Sequence, residues 1–129
     1  MSRQSEQSTP HRPIKLLLIE HEAVSRLSLT ELLTADGYSV VSTARGEDAL
    51  QKLRTNRFDA LITDSGAGRD VSGSAIISEF ERLQPGKPKL LITAHPLSTV
   101  REEGFRATYV SKPIQPEEFL LTLKSVLGR

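Results

Sequence analysis

The stretch FDALITD, residues 58–64, decides the fold of this chain, because it is a short apolar run that ends in an acid, Asp64. Three other apolar runs end in the same way, each at or just before a polar residue. Those residues are Glu20, Thr93 and Lys112. Such runs are typical of strands buried in a parallel sheet. Since the carboxyl ends of parallel strands line one rim of an open sheet, we expect the four polar side chains to meet at one site.

Segments with the periodicity of amphipathic helices separate these strands. The strands are predicted at 14–19, 38–43, 58–63, 89–93 and 107–110, and the helices at 22–36, 46–55, 74–84, 96–104 and 116–127. The stripe expected to face the core on the first helix consists of Val24, Leu29, Leu32 and Leu33. The alternation predicts an α/β fold, (βα)5, with right-handed crossovers and helices on both faces of the sheet.

Length and composition limit the classes of protein to which this chain can belong. Its 129 residues suffice for one domain, predicted at 14–129, and the polar, proline-containing tail at 1–13 is predicted to be disordered. The net charge is +1, and acidic and basic residues are interspersed along the chain. The sequence therefore has no basic stretch of the kind that binds nucleic acid or an anionic membrane. Because the chain has no cysteine and no apolar stretch near the roughly 20 residues of a membrane span, we expect a cytoplasmic protein.

With these residues placed, the chain resembles the receiver domains of response regulators in two-component signalling, from about Ile14 to Leu127. The likeness rests on motifs in the family's order: GEDAL at 46–50, FDALITD at 58–64, ITA at 92–94 and YVSKP at 109–113. The resemblance implies a flavodoxin-like, doubly wound parallel sheet of five strands in the order 2-1-3-4-5. It also implies a cis peptide bond before Pro113.

The resemblance assigns roles to the residues at the predicted rim. Asp64 corresponds to the phospho-accepting aspartate, and a carboxylate can attack phosphorus to form an acyl phosphate. Lys112 offers a compact positive charge, and Thr93 offers a hydroxyl for a phosphoryl oxygen. Thr93 and Tyr109 correspond to the family's switch residues. Each of these residues alone has an ordinary structural explanation, such as a turn-capping aspartate or a solvated lysine, and only their combination favours a phosphoryl site.

The chain departs from the family where a magnesium ion would bind. The family carries two adjacent acids after the first strand, which hold the ion together with the phospho-acceptor, here Asp64, and a backbone carbonyl two residues beyond it. In this chain the pair is Glu20-His21, and Gly66 would offer the carbonyl. Magnesium prefers oxygen ligands in octahedral geometry, so an imidazole is a poor substitute. The sequence leaves open whether Glu20 coordinates the magnesium ion directly or whether Glu22 reaches it. In either case we expect weakened magnesium affinity.

Two further departures affect loops. After Asp64 the chain lacks the family's proline and reaches Gly73 at the ninth position rather than the eighth, so we expect an inserted residue and a mobile loop. Only 19 positions separate Thr93 from Lys112, about three fewer than the family has, which predicts a truncated or irregular fourth helix. That helix, the fifth strand and the last helix form the face through which the resemblance implies partner binding and a homodimer.

His21 has two interpretations. In the first, an imidazolium that faces Asp64 replaces part of the charge of the missing metal, and the domain rests in one state without phosphate. In the second, His21 is a tolerated, exposed loop residue. The first interpretation predicts that a His21→Asp substitution restores magnesium binding.

The leading hypothesis is a receiver that accepts a phosphoryl group on Asp64 from a histidine kinase or a phosphotransfer protein, as a signalling module rather than an enzyme. The alternative is a degenerate receiver that acts as a phosphorylation-independent interaction module, which Glu20-His21 favours and the other site residues disfavour. A flavin or nucleotide binder is disfavoured because acids follow the first strand where a phosphate loop would need glycines. The kinase, the signal and any output domain are left open.

Overall fold

The computed structural model describes residues 12–65, 71–94 and 107–128. The predicted helix at 96–104 and nearly all of the predicted tail lie outside these residues. The elements in chain order are β1 (Lys15–Ile19), α1 (Ala23–Ala35), β2 (Ser39–Thr43), α2 (Gly46–Thr55), β3 (Ala60–Asp64), α3 (Gly73–Leu83), β4 (Lys89–Thr93), β5 (Thr108–Ser111) and α4 (Pro116–Val126). None of these helices has the length and apolarity that a membrane crossing requires.

The strands form one parallel sheet in the order β2-β1-β3-β4-β5, which confirms the predicted flavodoxin-like topology. Ile19 at the end of β1 pairs with Thr63 of β3, and Asp64 pairs with Ile92 of β4. The Lys112–Pro113 peptide bond is cis, as the resemblance implies. Because chain order reverses direction across the sheet between β1 and β3, the crevice outside these two strand ends is where this class of fold binds ligands.

The core lies in two clusters, one on each face of the sheet, because successive strand residues point to opposite faces. The first cluster joins the strands to α2 and α3, and its largest side chains are Phe58 and Phe80. The second joins the strands to α1 and α4 and includes Leu33 and Phe119. Burying each such side chain stabilises the fold by about 1.5–3 kcal/mol. All four described helices are therefore held against the sheet, which gives the rim a rigid base.

The boundaries of two elements bear on the site. Strand β3 begins at Ala60 and ends at Asp64, whereas the prediction was 58–63, so Asp64 belongs to the strand itself. Helix α3 begins at Gly73, one residue earlier than predicted. Helix α2 and strand β4 have the predicted bounds.

The predicted core stripe of α1 is wrong at Val24. Leu29 and Leu33 are buried, whereas Val24 is 70% exposed. At 3.6 residues per turn, Val24 lies about half a turn around the helix from Leu33, so the two cannot face the same core. The stripe therefore begins one turn later than predicted, and Val24 faces outward in the first turn of the helix.

Candidate functional site

The polar residues at the strand ends lie together on one rim of the sheet. Glu20 follows β1, Asp64 and Thr93 close β3 and β4, and all three are buried. Lys112 follows β5; its ammonium lies 3.6 Å from Glu20 Oε1, and its backbone N–H donates to the carbonyl of Thr93 at 3.0 Å. His21 joins this group, because one ligand atom from each of Glu20, His21 and Asp64 lies within 4.8 Å of the others. We call these three residues the acid–histidine cluster.

The backbone around Asp64 is fixed by its neighbours. The Thr63 hydroxyl donates to the Asp64 carbonyl at 2.9 Å, and the Ser65 amide donates to the carbonyl of Ile92 at 3.1 Å. Gly73 packs against the same point: a Cβ there would lie 2.7 Å from the carbonyl oxygen of Asp64, closer than a side chain tolerates. The site therefore requires glycine at position 73. The sequence analysis placed Gly73 only by counting along the loop, and no local pattern signals this contact.

His21 contacts Asp64 twice. Its backbone N–H donates to Asp64 Oδ2 at 3.3 Å, and its ring Nδ1 lies 2.8 Å from the same oxygen. Nδ1 is also 3.7 Å from Glu20 Oε2. The side chain of His21 is 39% exposed, so its ring sits at the mouth of the site. These contacts favour the interpretation in which His21 acts on Asp64 over that of a loop residue without a role.

Glu20 is a buried acid with only one hydrogen-bonded oxygen. The residue is 1% exposed, and its Oε2 accepts the backbone N–H of Glu22 at 3.0 Å. Its Oε1 is also buried and has no hydrogen-bond partner among the described residues. Burial raises the pKa of Glu20 above its ordinary value, and the charge of Asp64 raises it further, while the Glu22 N–H and the Lys112 ammonium oppose this rise. A cation at this position would stabilise both carboxylates.

Glu22, considered above as a metal ligand, is used elsewhere. It is the N-cap of α1, and its carboxylate accepts the backbone N–H of Ser25 at 2.7 Å and that of Val24 at 3.4 Å. A hydrogen bond from the side chain of Ser25, together with those from the two backbone amides, lowers the pKa of Glu22. Glu22 is not a member of the acid–histidine cluster. Capping a helix start satisfies amides that otherwise have no partner, which explains why this acid points along the helix rather than into the site.

Arg26 fixes the turn that carries two of the cluster residues, and the sequence analysis missed it. Its Nη1 donates to the carbonyl of Glu20 at 2.9 Å and lies 3.4 Å from the carbonyl of His21. The first turn of α1 brings this side chain back over the end of β1. An arginine six positions after a strand-end acid is no recognisable motif, so only the folded structure identifies this contact.

The acid–histidine cluster fits a magnesium ion less well than a set of oxygen ligands would. Its described donors are two carboxylate oxygens and one imidazole nitrogen, whereas magnesium needs a near-octahedral set of oxygens. Gly66, the predicted source of a carbonyl ligand, lies outside the described residues. These ligand atoms suit a metal cation of borderline softness, which accepts both nitrogen and oxygen ligands.

Two further features adjoin the site. Tyr109, the predicted switch residue, is half-buried on β5 and packs against the core cluster on the α2–α3 face. On the opposite face, a groove of about 760 Å³ runs between α1 and the segment after β5, with Glu20 and Lys112 at its end. Its walls are mostly apolar and include Leu29, Leu32 and Ile114. The site therefore adjoins a mostly apolar groove.

Comparison with known proteins places this geometry among relatives. The model of the family described as "Response regulator receiver domain" matches residues 16–124. The transcriptional regulatory protein GlrR of Escherichia coli is 27% identical over 120 residues, a match that covers 91% of this chain and 27% of GlrR. In general, the chain spans from about a quarter to about half of the length of the curated relatives it matches.

Solved structures share the fold. The chemotaxis protein CheY4 of Vibrio cholerae is 27% identical, with a TM-score of 0.79 over 89% of this chain and 99% of that chain. The receiver domain of the sensor histidine kinase PA1611 of Pseudomonas aeruginosa has a TM-score of 0.81 at 24% identity, over 92% of this chain and 100% of that chain. In that structure a magnesium ion is coordinated in the active-site cleft.

Proposed function

Because this chain belongs to the family of response regulator receiver domains, we propose that it accepts a phosphoryl group on Asp64 in a two-component signalling pathway. Receiver domains are signalling domains rather than enzymes. The donor is a histidine kinase or a phosphotransfer protein, which follows from the type of pathway. The phosphorylated chain then passes the signal to a downstream target or to an output domain.

The observation that carries this proposal is the position of Asp64 at the end of a central strand, with Thr93 and Lys112 at the ends of the next two strands. In the reaction, a carboxylate oxygen of Asp64 bonds to phosphorus as the bond between phosphorus and the donor's imidazole nitrogen breaks. The leaving imidazole takes up a proton. Lys112 offsets the negative charge, and the hydroxyl of Thr93 donates to a phosphoryl oxygen. Tyr109 responds to the change at Thr93 as the second switch residue.

Magnesium contributes less here than in a receiver with two acids after β1. The imidazole of His21 stands where the family has an oxygen ligand, so we propose weakened magnesium binding through Glu20, Asp64 and the Gly66 carbonyl. Part of the missing positive charge is then supplied by His21 in its protonated form, since Nδ1 lies 2.8 Å from Asp64 Oδ2. This is the first of the two interpretations of His21 given above.

The test is the intact mass of the chain after incubation with acetyl phosphate, with and without magnesium. We expect a single phosphate adduct on the wild-type chain and none on the Asp64→Asn variant, which keeps the shape of the side chain. A phosphorylated phosphotransfer protein serves as a second donor. An unmodified mass with both donors would contradict the proposal, as would an adduct that survives in Asp64→Asn.

A second candidate function has its own supporting observation. The His21 ring already lies against the Asp64 carboxylate, as a phosphoryl group or a metal would, and this contact favours a domain fixed in one state that binds partners without phosphate. The two functions differ in one measurement. A phosphorylation-independent module binds its partner equally well before and after incubation of the wild-type chain with a phosphodonor, whereas a working receiver binds differently.

Several broader features belong to this proposal. We propose that residues 14–129 form the receiver, that 1–13 is a disordered tail and that the chain is cytoplasmic. The apolar groove beside α1 is a suitable surface for the phosphodonor. A homodimer would use the face of β5, α4 and the predicted helix at 96–104, and Leu121 of α4, which is 66% exposed, is available for it. This domain alone is proposed to bind neither nucleic acid nor membrane.

A further inference from the structure

The three ligand atoms of the acid–histidine cluster have separations close to those around one small cation. His21 Nδ1 is 2.8 Å from Asp64 Oδ2 and 3.7 Å from Glu20 Oε2, and one ligand atom from each of the three residues lies within 4.8 Å of the others. Around a tetrahedral zinc ion with bonds of about 2.0–2.2 Å, neighbouring ligand atoms lie about 3.4 Å apart. The two separations from His21 Nδ1 fall on either side of this value, so the ring lies close enough to both acids to share a cation with them.

A second, independent observation points to a cation at the same place. Glu20 is 1% exposed, and its Oε1 is buried without a hydrogen-bond partner in the described part of the chain. A buried acceptor that lacks a partner costs about 1–3 kcal/mol and calls for an explanation in a native site. The Lys112 ammonium, at 3.6 Å, is too distant for a hydrogen bond and compensates only part of the charge. A metal ion bound by Glu20 would supply the missing partner.

The supporting structure holds the donors in place and leaves the second oxygen of Glu20, Oε1, to bind a metal. Arg26 donates to the backbone carbonyls of Glu20 and His21, not to their side chains. The Glu22 amide orients the Glu20 carboxylate through Oε2. Because these outer contacts already position the ligand residues, ordering them when a metal binds costs little free energy.

We propose that the acid–histidine cluster is a zinc-class site, so that the substitution at the second acid changes the preferred metal rather than merely abolishing magnesium. Zinc accepts both imidazole nitrogen and carboxylate oxygen as ligands, whereas magnesium selects against the nitrogen. Three protein ligands leave one position for water or for an oxygen of a bound anion. On binding, the metal replaces the contact between His21 Nδ1 and Asp64 Oδ2.

The experiment is a calorimetric titration of the unphosphorylated full chain with zinc, repeated in excess magnesium. Cobalt serves as an optical probe, because its visible absorption reports the geometry and the ligands of the site. We expect one zinc per chain, bound at least about 100-fold more tightly than magnesium, and a cobalt spectrum of low coordination number. The variant His21→Ala should lower zinc affinity by about 100-fold or more, since it removes a direct ligand.

The chain offers a matched control in its other two histidines, His11 and His95. The double variant His11→Ala with His95→Ala should bind zinc as the wild type does. Zinc binding that survives His21→Ala, or that is lost in the double variant, would overturn the proposal. So would magnesium binding as tight as zinc, and folding of each variant is checked by circular dichroism.

This site is tested apart from phosphoryl transfer. The titration uses neither a phosphodonor nor an activity assay, so a failure of zinc to bind leaves the Asp64 adduct test unaffected. Conversely, a chain that binds zinc but accepts no phosphate would sustain the metal site and contradict the proposed receiver function.

Discussion

The two halves of the rim follow the receiver family to different degrees. The half formed by the ends of β3, β4 and β5 carries Asp64, Thr93 and Lys112, the residues that the family uses for phosphate. The half formed by the β1–α1 turn carries Glu20 and His21, where the family has two acids. Asp64 serves both halves, as the phospho-acceptor and as a metal ligand, but His21 lies on a different element from Thr93 and Lys112, so a substitution at His21 changes the metal ligands and leaves the phosphate residues in place. We therefore expect metal preference and phosphate acceptance to be separable by mutation.

The largest expected effect tests the metal half. His21→Asp replaces the imidazole by a carboxylate and gives the turn the oxygen donors that magnesium needs. We expect magnesium affinity to rise by about 100-fold, or roughly 2.7 kcal/mol of binding free energy, measured by isothermal titration. His21→Asn is the matched control, because it supplies an uncharged oxygen and should give a smaller gain. If His21→Asp binds magnesium no more tightly than wild type, the type of ligand atom at position 21 does not account for the difference between the two halves.

The same two halves show how far sequence reasoning reaches. That the side chains at positions 20, 64, 93 and 112 lie on one rim was predictable, because parallel strand order and apolar run length fix where strands end. The contact of His21 Nδ1 with Asp64 was not, since it depends on the rotamers and on the path of a turn. The stripe on α1 failed at Val24 because apolar residues were counted without regard to their angle around the helix.

The next effect tests the phosphate half through its backbone. In Gly73→Val, the new Cβ would lie 2.7 Å from the carbonyl oxygen of Asp64, so the start of α3 or the end of β3 must shift. We expect a loss of about 1–3 kcal/mol in the free energy of unfolding, measured by urea denaturation. The phosphate adduct on Asp64 should also form more slowly. The neighbouring Ser74→Ala is the control, with an expected change within about 0.5 kcal/mol.

A smaller effect tests the support of the metal half alone. Arg26→Ala removes the donor to the carbonyls of Glu20 and His21 and should cost about 1.5 kcal/mol of stability. Zinc affinity should fall with it, while the rate of phosphorylation by acetyl phosphate changes little. Arg54→Ala, which removes an exposed arginine 3.8 Å from Glu79, is the control and should cost less than about 1 kcal/mol. An equal loss of phosphorylation in Arg26→Ala would mean that the halves are coupled.

The smallest effect concerns Glu20, the acid nearest to both halves. Burial raises the pKa of Glu20 in the folded protein above the ordinary value of 4.5. As the pH rises through 4.5, the unfolded chain therefore loses a proton that the folded protein still retains, and stability falls until the pH reaches the folded pKa. Above that pH the full cost of the buried charge remains, unless a metal offsets it.

Glu20→Gln removes this titration and keeps an oxygen to accept the Glu22 N–H. The stability of the variant relative to wild type should therefore increase as the pH rises above the ordinary value of 4.5, as measured by thermal unfolding in metal-free buffer. Glu31→Gln, at an exposed position on α1, is the control and should follow wild type across this range. Adding zinc should reverse the order at about pH 7, because the wild type alone keeps both carboxylates for the metal. Parallel pH curves for Glu20→Gln and wild type would mean that the charge of Glu20 is already compensated by Lys112, and that the metal half needs no cation.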